Sequence, residues 1–395
     1  MNSIYLTTRI SGTITIASNS KIVVEKNSYV VASINAEDYM VDDCFYLDDC
    51  NFEKCRSLFF AKNESDIEIC AKKNGIIGGN GAAWTSFDKY VSRPGLIKLV
   101  NCKNIYIHDV LLIDSPYWGI WLHNCENVII ENVRIISRWG KSNVGIEVDC
   151  SRNVTISNCC IDTKDDCVDV KTTKNIEASN IVIKDSLLYS RCSAFRIGTE
   201  TLGDISKVSF VNNIIEKSLV YGIKIFATDG AKVSNIEIDN VTMVNVTGGI
   251  IISNGTRMKR YFHEETDSTF SSISDIKISN IKVEIDPQEI FIKGKVGEGV
   301  NMIIGTESNP IENIEFDNCE FQMPGGFGIK DYAFLPFELG GQFPEYYEFG
   351  IPPASGVYVY RANNVTFKNV KMVLNKEDSR DLYVSLFSEN IKIVN

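Results

Sequence analysis

The acidic residues of this chain concentrate in one segment. It reads Gly145-Ile146-Glu147-Val148-Asp149 and resumes at Ile161-Asp162-Thr163-Lys164-Asp165-Asp166-Cys167-Val168-Asp169-Val170-Lys171. Carboxylates gathered on one face repel unless a cation, a metal or a shared proton offsets their charge, and the repulsion raises at least one pKa. A carboxyl that keeps its proton near neutral pH is what a general acid requires. A second, ionised carboxylate can activate water, and two carboxyls flanking a glycosidic bond are the minimum for glycoside hydrolysis. Asp165 and Asp166 form an adjacent pair, and Glu147 is the third candidate acid. An Asp-rich turn at the edge of a structural element would use the same residue types without chemistry. Zinc is a poor fit: the chain has 3 His, and none of its 12 Cys forms a Cys-x-x-Cys pair. No metal and no other cofactor is expected.

The elements that must hold these residues announce themselves by repetition. Asn104-Ile105-Tyr106-Ile107 recurs as Asn127-Val128-Ile129-Ile130, Asn153-Val154-Thr155-Ile156, Asn180-Ile181-Val182-Ile183, Lys207-Val208-Ser209-Phe210 and Asn235-Ile236-Glu237-Ile238. The steps between them are 23, 26, 27, 27 and 28 residues. Further copies begin at Asp66, Asp275, Asn313, Asn364 and Asn390. Each alternates apolar with polar, the pattern of a strand with one buried face. Between copies lie other short β-branched runs, such as Gly119-Ile120-Trp121-Leu122 and Cys167-Val168-Asp169-Val170. Two or three short strands per repeat predict an all-β solenoid, a parallel β-helix of roughly ten coils. A β-sandwich would give no regular period of this length. The expected organisation is one domain over 1–395, with core repeats at about 60–255 and loop-rich coils at about 256–395.

Such stacking has consequences for single residues. Equivalent positions on adjacent coils lie about 4.8 Å apart, which should bring Glu147 close to Asp165 and Asp166, with Arg196 and Lys224 on the following coils. Asn104, Asn127 and Asn153 should stack and hydrogen-bond from coil to coil. Cys102, Cys125, Cys159 and Cys319 hold fixed places in the repeat and read as packing thiols. Sequons such as Asn153-Val154-Thr155 fall on the same turn and read as by-products of the repeat.

Three later steps lengthen to 40, 38 and 51 residues, and insertions in a solenoid emerge as loops that often build a binding face. One contains Arg257-Met258-Lys259-Arg260-Tyr261-Phe262-His263, which makes Arg257 and Arg260 candidate ligand cations. Another, over about 321–356, carries Phe327, Tyr332, Phe334, Phe337, Phe343, Tyr346, Tyr347 and Phe349. Aromatic faces stack on sugars and cations hold carboxylates, although the same aromatics would also pack a loop onto its coil.

Composition narrows the partners. Apolar residues form 44% of 395, and 40 basic against 51 acidic residues give a net charge of −11. That balance argues against a nucleic-acid partner, and an acidic polymer would need a locally basic face. No apolar run of about 18 residues is present to span a membrane. The first ten residues lack the apolar stretch of a secretion signal, so the expected location is cytoplasmic, or secreted or periplasmic if a leader has been removed. Residues 1–35 look strand-like without a capping helix, so the amino-terminal edge is expected to have a minimal cap, a missing piece or a covering subunit. The oligomeric state is not written in the sequence.

Several motifs in order then point to a family. Arg93-Pro94-Gly95-Leu96-Ile97-Lys98-Leu99-Val100-Asn101-Cys102-Lys103-Asn104-Ile105, Ile113-Asp114-Ser115-Pro116-Tyr117-Trp118 and Asp162-Thr163-Lys164-Asp165-Asp166-Cys167 resemble the polygalacturonases, glycoside hydrolase family 28. Cys192-Ser193-Ala194-Phe195-Arg196-Ile197-Gly198-Thr199-Glu200, Phe343-Pro344-Glu345 and Gly356-Val357-Tyr358-Val359-Tyr360 resemble a bacterial branch of it. The resemblance runs from about residue 5 to the end. It implies a right-handed parallel β-helix that cleaves α-linked galacturonide-type bonds with inversion and without a metal. Asp165 matches the family's general acid, Asp166 matches a base, and Glu147 occupies the place of an Asp following the family's Asn-Thr-Asp triplet. The triplet's own Asp corresponds to Val144, with Asn143 beside it as a candidate substrate ligand. The family's Gly-His-Gly histidine corresponds to Ser193, and its Arg-Ile-Lys motif to Lys224-Ile225-Phe226. Arg196, Lys224 and Arg191 are the candidate replacements for the lost positive charge, and a changed substrate is expected. The partner is thus an oligo- or polysaccharide, pectic in type. The alternatives are a β-helix sugar binder with altered catalytic residues, or a lyase or epimerase using Glu147, Asp165, Asp166, Asp169, Arg196 and Lys224.

Overall fold

A computed structural model describes residues 1–41, 56–86, 93–261, 270–286, 299–327 and 350–394. Phe262, His263, the motif at Phe343-Pro344-Glu345 and every aromatic named above for the 321–356 loop except Phe327 lie outside the described residues. The chain groups into two compact units: Met1–Ser190 with Arg260–Glu265, and Arg191–Lys259 with Thr266–Asn395.

The first unit is a parallel β-helix with three columns of strands. One column stacks Asn2–Leu6, Ser20–Val24, Ser65–Ala71, Lys103–His108, Glu126–Glu131, Arg152–Ser157 and Ala178–Lys184. A second runs from Arg9–Ser11 to Leu187–Ser190, and a third comprises Ile14–Thr15, Ser57–Lys62, Gly95–Val100, Ile120–His123, Ile146–Asp149 and Val168–Thr172. Every pairing within these columns is parallel. The second unit is built the same way from Phe195–Thr201 to Glu389–Val394, again with parallel pairs. Among the described residues the only helical turns are the short 3₁₀ segments Ala36–Asp38 and Gly81–Ser86.

The repeat pattern missed the first two coils, which lie ahead of Asp66. Asn19 takes the same left-handed corner, at φ 59°, but Ser20 stands in register with Ile67 where the repeat requires Ile or Val. The corner itself explains the recurring asparagine. Asn104, Asn127, Asn153 and Asn180 all sit at φ between 54° and 58°, a conformation that Asn tolerates better than other residues with a Cβ. Their side chains form the expected ladder: Asn180 donates to Asn153, Asn153 to Asn127, Asn127 to Asn104 and Asn104 to Asp66, at 3.0–3.1 Å. A ladder in the second unit joins Asn390, Asn364, Asn313 and Asp275.

Inside each coil the apolar member of the alternation points to the core. Ile22, Ile69, Ile107, Ile130, Ile156 and Ile183 are in register and fully buried. In the second unit Phe210, Ile238, Ile278, Phe316 and Phe367 make the equivalent stack. Truncating one such side chain to alanine costs about 2–5 kcal/mol. Cys102, Cys125, Cys159 and Cys319 are buried free thiols facing backbone carbonyls, as the repeat suggests.

Candidate active site

The third strand column of the first unit carries the acidic segment. Ile97 and Leu99, Ile120 and Leu122, Ile146 and Val148, and Val168 and Val170 fill the core, so the residues between them face outward. Register then sets two outward rows. The first aligns Lys98, Trp121, Glu147 and Asp169, and the second aligns Val100, His123, Asp149 and Lys171. Both rows are covered: Lys98, Trp121, His123, Glu147, Asp149, Asp169 and Lys171 are all buried.

Buried charges need partners, since a lone ion in a low-dielectric site is costly. Lys171 Nζ lies 2.8 Å from Glu147 Oε2 and 3.2 Å from Asp169 Oδ2. The same ammonium sits 4.7 Å over the Trp118 ring, and Lys98 Nζ sits 4.6 Å over Trp121. Trp118 and Trp121 meet edge to face at 4.7 Å between centroids. Asp149 is a separate knot: Thr173 N and Oγ1 donate to it at 2.9 and 2.7 Å, and His123 Nδ1 lies 2.7 Å from Oδ2. Burial alone would push the Asp149 carboxyl up, but the His123 charge and the hydrogen bonds from His123 and Thr173 outweigh it and hold the pKa at about 2.

Asp165 and Asp166 form the turn that leads into Val168–Thr172. Thr163 Oγ1 donates to the Asp165 carbonyl at 2.7 Å and Ser190 Oγ does so at 2.8 Å, which pins the turn from two sides. The Asp166 amide donates to Asp165 Oδ1 at 3.0 Å. Asp165 is half-buried, Asp166 is buried, and a carboxylate oxygen of each lies within 4.8 Å of the other. Two carboxyls this close disfavour double ionisation and so can share out the roles of proton donor and proton acceptor.

Register sorts the sequence candidates. Asp165 and Asp166 sit together as expected. Glu147 is in register with Asp169 rather than with the pair, whose coil aligns near Val144 through a hydrogen bond from Gly145 N to Asp166 O of 3.0 Å. Asn143 is fully buried, and its Nδ2 donates to the carbonyls of Ser137 at 2.8 Å and Trp139 at 2.7 Å, so it clamps a loop. In the second unit Arg196 and Lys224 are register partners, each about 6 Å from the Phe226 ring. Lys224 is buried, Arg196 half-buried, Arg191 exposed and Ser193 buried. Arg257 is buried in a two-pronged pair with Asp229, its Nε 2.9 Å from Oδ1, with Glu200 at 3.9 Å. Its guanidinium is thereby committed to the protein. Arg260 is half-buried.

The sequence reading missed Lys98, Trp121, His123, Asp149 and Lys171. Their signal was present in the alternation: each lies two residues from another outward residue, or in register with one on the next coil.

A stack of parallel coils with a pair of carboxyls on the turn into one strand column defines a parallel β-helix protein. Comparison with known proteins makes this specific. The model of glycosyl hydrolases family 28 matches residues 55–330. An exopolygalacturonase of Cochliobolus carbonum is 26% identical over 295 residues, covering 69% of this chain and 64% of that protein. The solved exopolygalacturonase of Thermotoga maritima covers 94% of this chain and 84% of its own at TM-score 0.68 and 18% identity. The family 28 exopolygalacturonase of Yersinia enterocolitica covers 98% and 72% at TM-score 0.72 and 14% identity. The chain spans less than two thirds of the length of the first curated relatives it matches, 59% and 64%. This chain belongs to glycosyl hydrolases family 28.

Proposed function

We propose that the protein hydrolyses α-linked galacturonide-type or related pectic oligosaccharides, with Asp165 as the general acid and Asp166 as the base. The carrying observation is the Asp165–Asp166 turn, fixed by Thr163 and Ser190, with its carboxylate oxygens within 4.8 Å. In the proposed step Asp165 gives its proton to the leaving glycosidic oxygen as the C–O bond breaks. Asp166 takes a proton from the water whose oxygen bonds to the anomeric carbon. Inversion is the outcome that the family resemblance implies. The nearest oxygens of the two carboxyls lie closer together than the roughly 6.5–9.5 Å usual between inverting pairs.

Glu147 acts here through Lys171. Its carboxylate and that of Asp169 hold the ammonium against Trp118, which fixes positive charge on the same strand column. Arg196, Lys224 and Arg191 keep their assignment as cations for uronate carboxylates, on the strength of the resemblance. The similar proteins of Cochliobolus carbonum, Thermotoga maritima and Yersinia enterocolitica are exopolygalacturonases, which supports this chemistry.

The test is a panel of pectic and neutral plant oligosaccharides assayed for new reducing ends. Asp165→Asn and Asp166→Asn should each lower turnover by about 10²–10⁴-fold. Turnover unchanged in either variant would remove that residue from the mechanism. An unsaturated product absorbing in the ultraviolet would replace hydrolysis with elimination.

A further inference from the structure

One loop beside the acid pair presents a largely exposed indole, that of Trp139. Residues 138–143 lead into Ile146–Asp149, one coil before the Asp165–Asp166 turn. Backbone hydrogen bonds from Lys164 N to Ser137 O at 2.9 Å and from Gly145 N to Asp166 O at 3.0 Å bracket the two segments. Loop and turn therefore occupy consecutive layers, about 4.8 Å apart along the stack.

The loop is held firmly. Asn143 Nδ2 binds the Ser137 and Trp139 carbonyls, and buried Arg93 donates through Nη1 to the carbonyls of Lys141 at 2.6 Å and Pro116 at 2.9 Å. Gly140, at φ 90°, and Ser142, at φ 54°, give the backbone the sharp path these contacts require. On this fixed support Trp139 is 56% exposed, whereas Trp84, Trp118 and Trp121 are 0%, 4% and 5% exposed. Next to it the half-exposed Arg138 commits Nε and Nη2 to Asp162, with Nε at 2.9 Å from Oδ2, and Nη1 has no partner among the described residues. Lys141 adds an exposed basic residue to the same loop.

A rigid loop that holds an indole in water beside a guanidinium matches the two recognisable parts of a uronic acid, its pyranose face and its carboxylate. We propose that Trp139 and Arg138 form a subsite for a uronate unit of the substrate adjoining the Asp165–Asp166 turn. This rests on the hydrolase reading and adds to it the residues that select an acidic sugar.

The test uses the Asp165→Asn protein, so that trigalacturonate stays intact, with the neutral α-1,4-linked galactotriose beside it. Calorimetry reads binding, and acrylamide quenching of tryptophan fluorescence reads Trp139, the exposed indole of the four. Trigalacturonate should bind and shield the quenchable fluorescence. Adding Trp139→Ala should weaken its binding by about 3- to 10-fold, and Trp139→Phe should restore most of that loss. Arg138→Gln should weaken trigalacturonate while leaving galactotriose unchanged. Heat of binding without shielding, or an unchanged dissociation constant in Trp139→Ala, overturns the subsite and leaves the hydrolase reading standing. No binding heat from either sugar overturns both.

Discussion

Lys171 shows how closely the chemistry of this protein is tied to register. A lysine two residues after Asp169 looks ordinary in sequence, yet it lies one coil above Asp149 and within 2.8 Å of Glu147. Glu147, Asp165 and Asp166 were legible as candidate acids because carboxylates this dense need a reason. Their separation into a buried ion-paired group and a turn pair was not, because only the coil alignment decides which residue faces which. Asp149 makes the same point in a form that can be measured. Its folded pKa of about 2 lies below the ordinary 3.8. A depressed carboxyl contributes stability that is complete above its unfolded pKa and is lost as pH falls through the folded value. The shift corresponds to about 2 kcal/mol. Asp149→Asn should therefore be destabilised by about that amount at pH 7, and its deficit should close between about pH 4 and pH 2. Denaturant midpoints of the two proteins across that window provide the check. A deficit that stays constant down to pH 2 would show that the His123 and Thr173 contacts do not set this carboxyl.

At the scale of the element, the corner asparagines predict the fold and also test it. Asn127 is at φ 58°, donates to Asn104 and accepts from Asn153. Alanine there loses both hydrogen bonds and meets the left-handed penalty of about 1–2 kcal/mol, while glycine loses the bonds alone. Asn127→Ala should thus melt below Asn127→Gly, and both below the parent. Equal melting of the two variants would mean that the ladder, and not the corner conformation, selects asparagine. This corner made the coils readable from Asp66 onward, and the exceptions have physical causes. Ser20 hid an early coil by replacing the apolar residue after the corner. The sequence also predicted two or three short strands per coil throughout, but Ile214–Ala227 and Thr242–Asn254 run on as single strands of 14 and 13 residues. The first of them turns by a register shift between Ser218 and Tyr221, an interval with no Asn or Gly to mark it.

At the scale of the whole molecule, the net charge of −11 bears on how an acidic polymer would arrive. Repulsion between this chain and a long uronide acts over many charges, and the Debye length falls from about 20 Å to about 7 Å as salt rises from about 0.02 to 0.2 M. The contacts proposed at Trp139 and Arg138 involve one sugar unit and are the same for a trimer and a polymer. Salt weakens that local attraction equally in both, so it cancels in a ratio of rates. What remains is the long-range repulsion, which the polymer feels more strongly because it brings more charge within reach. The ratio of kcat/KM for polygalacturonate to that for trigalacturonate should therefore rise with ionic strength, by several-fold over this range. Initial rates of reducing-end release at matched pH give the measurement. A ratio that falls with salt would instead place an extended basic track along the substrate path, and it would transfer acidic-polymer recognition from one subsite to the surface as a whole.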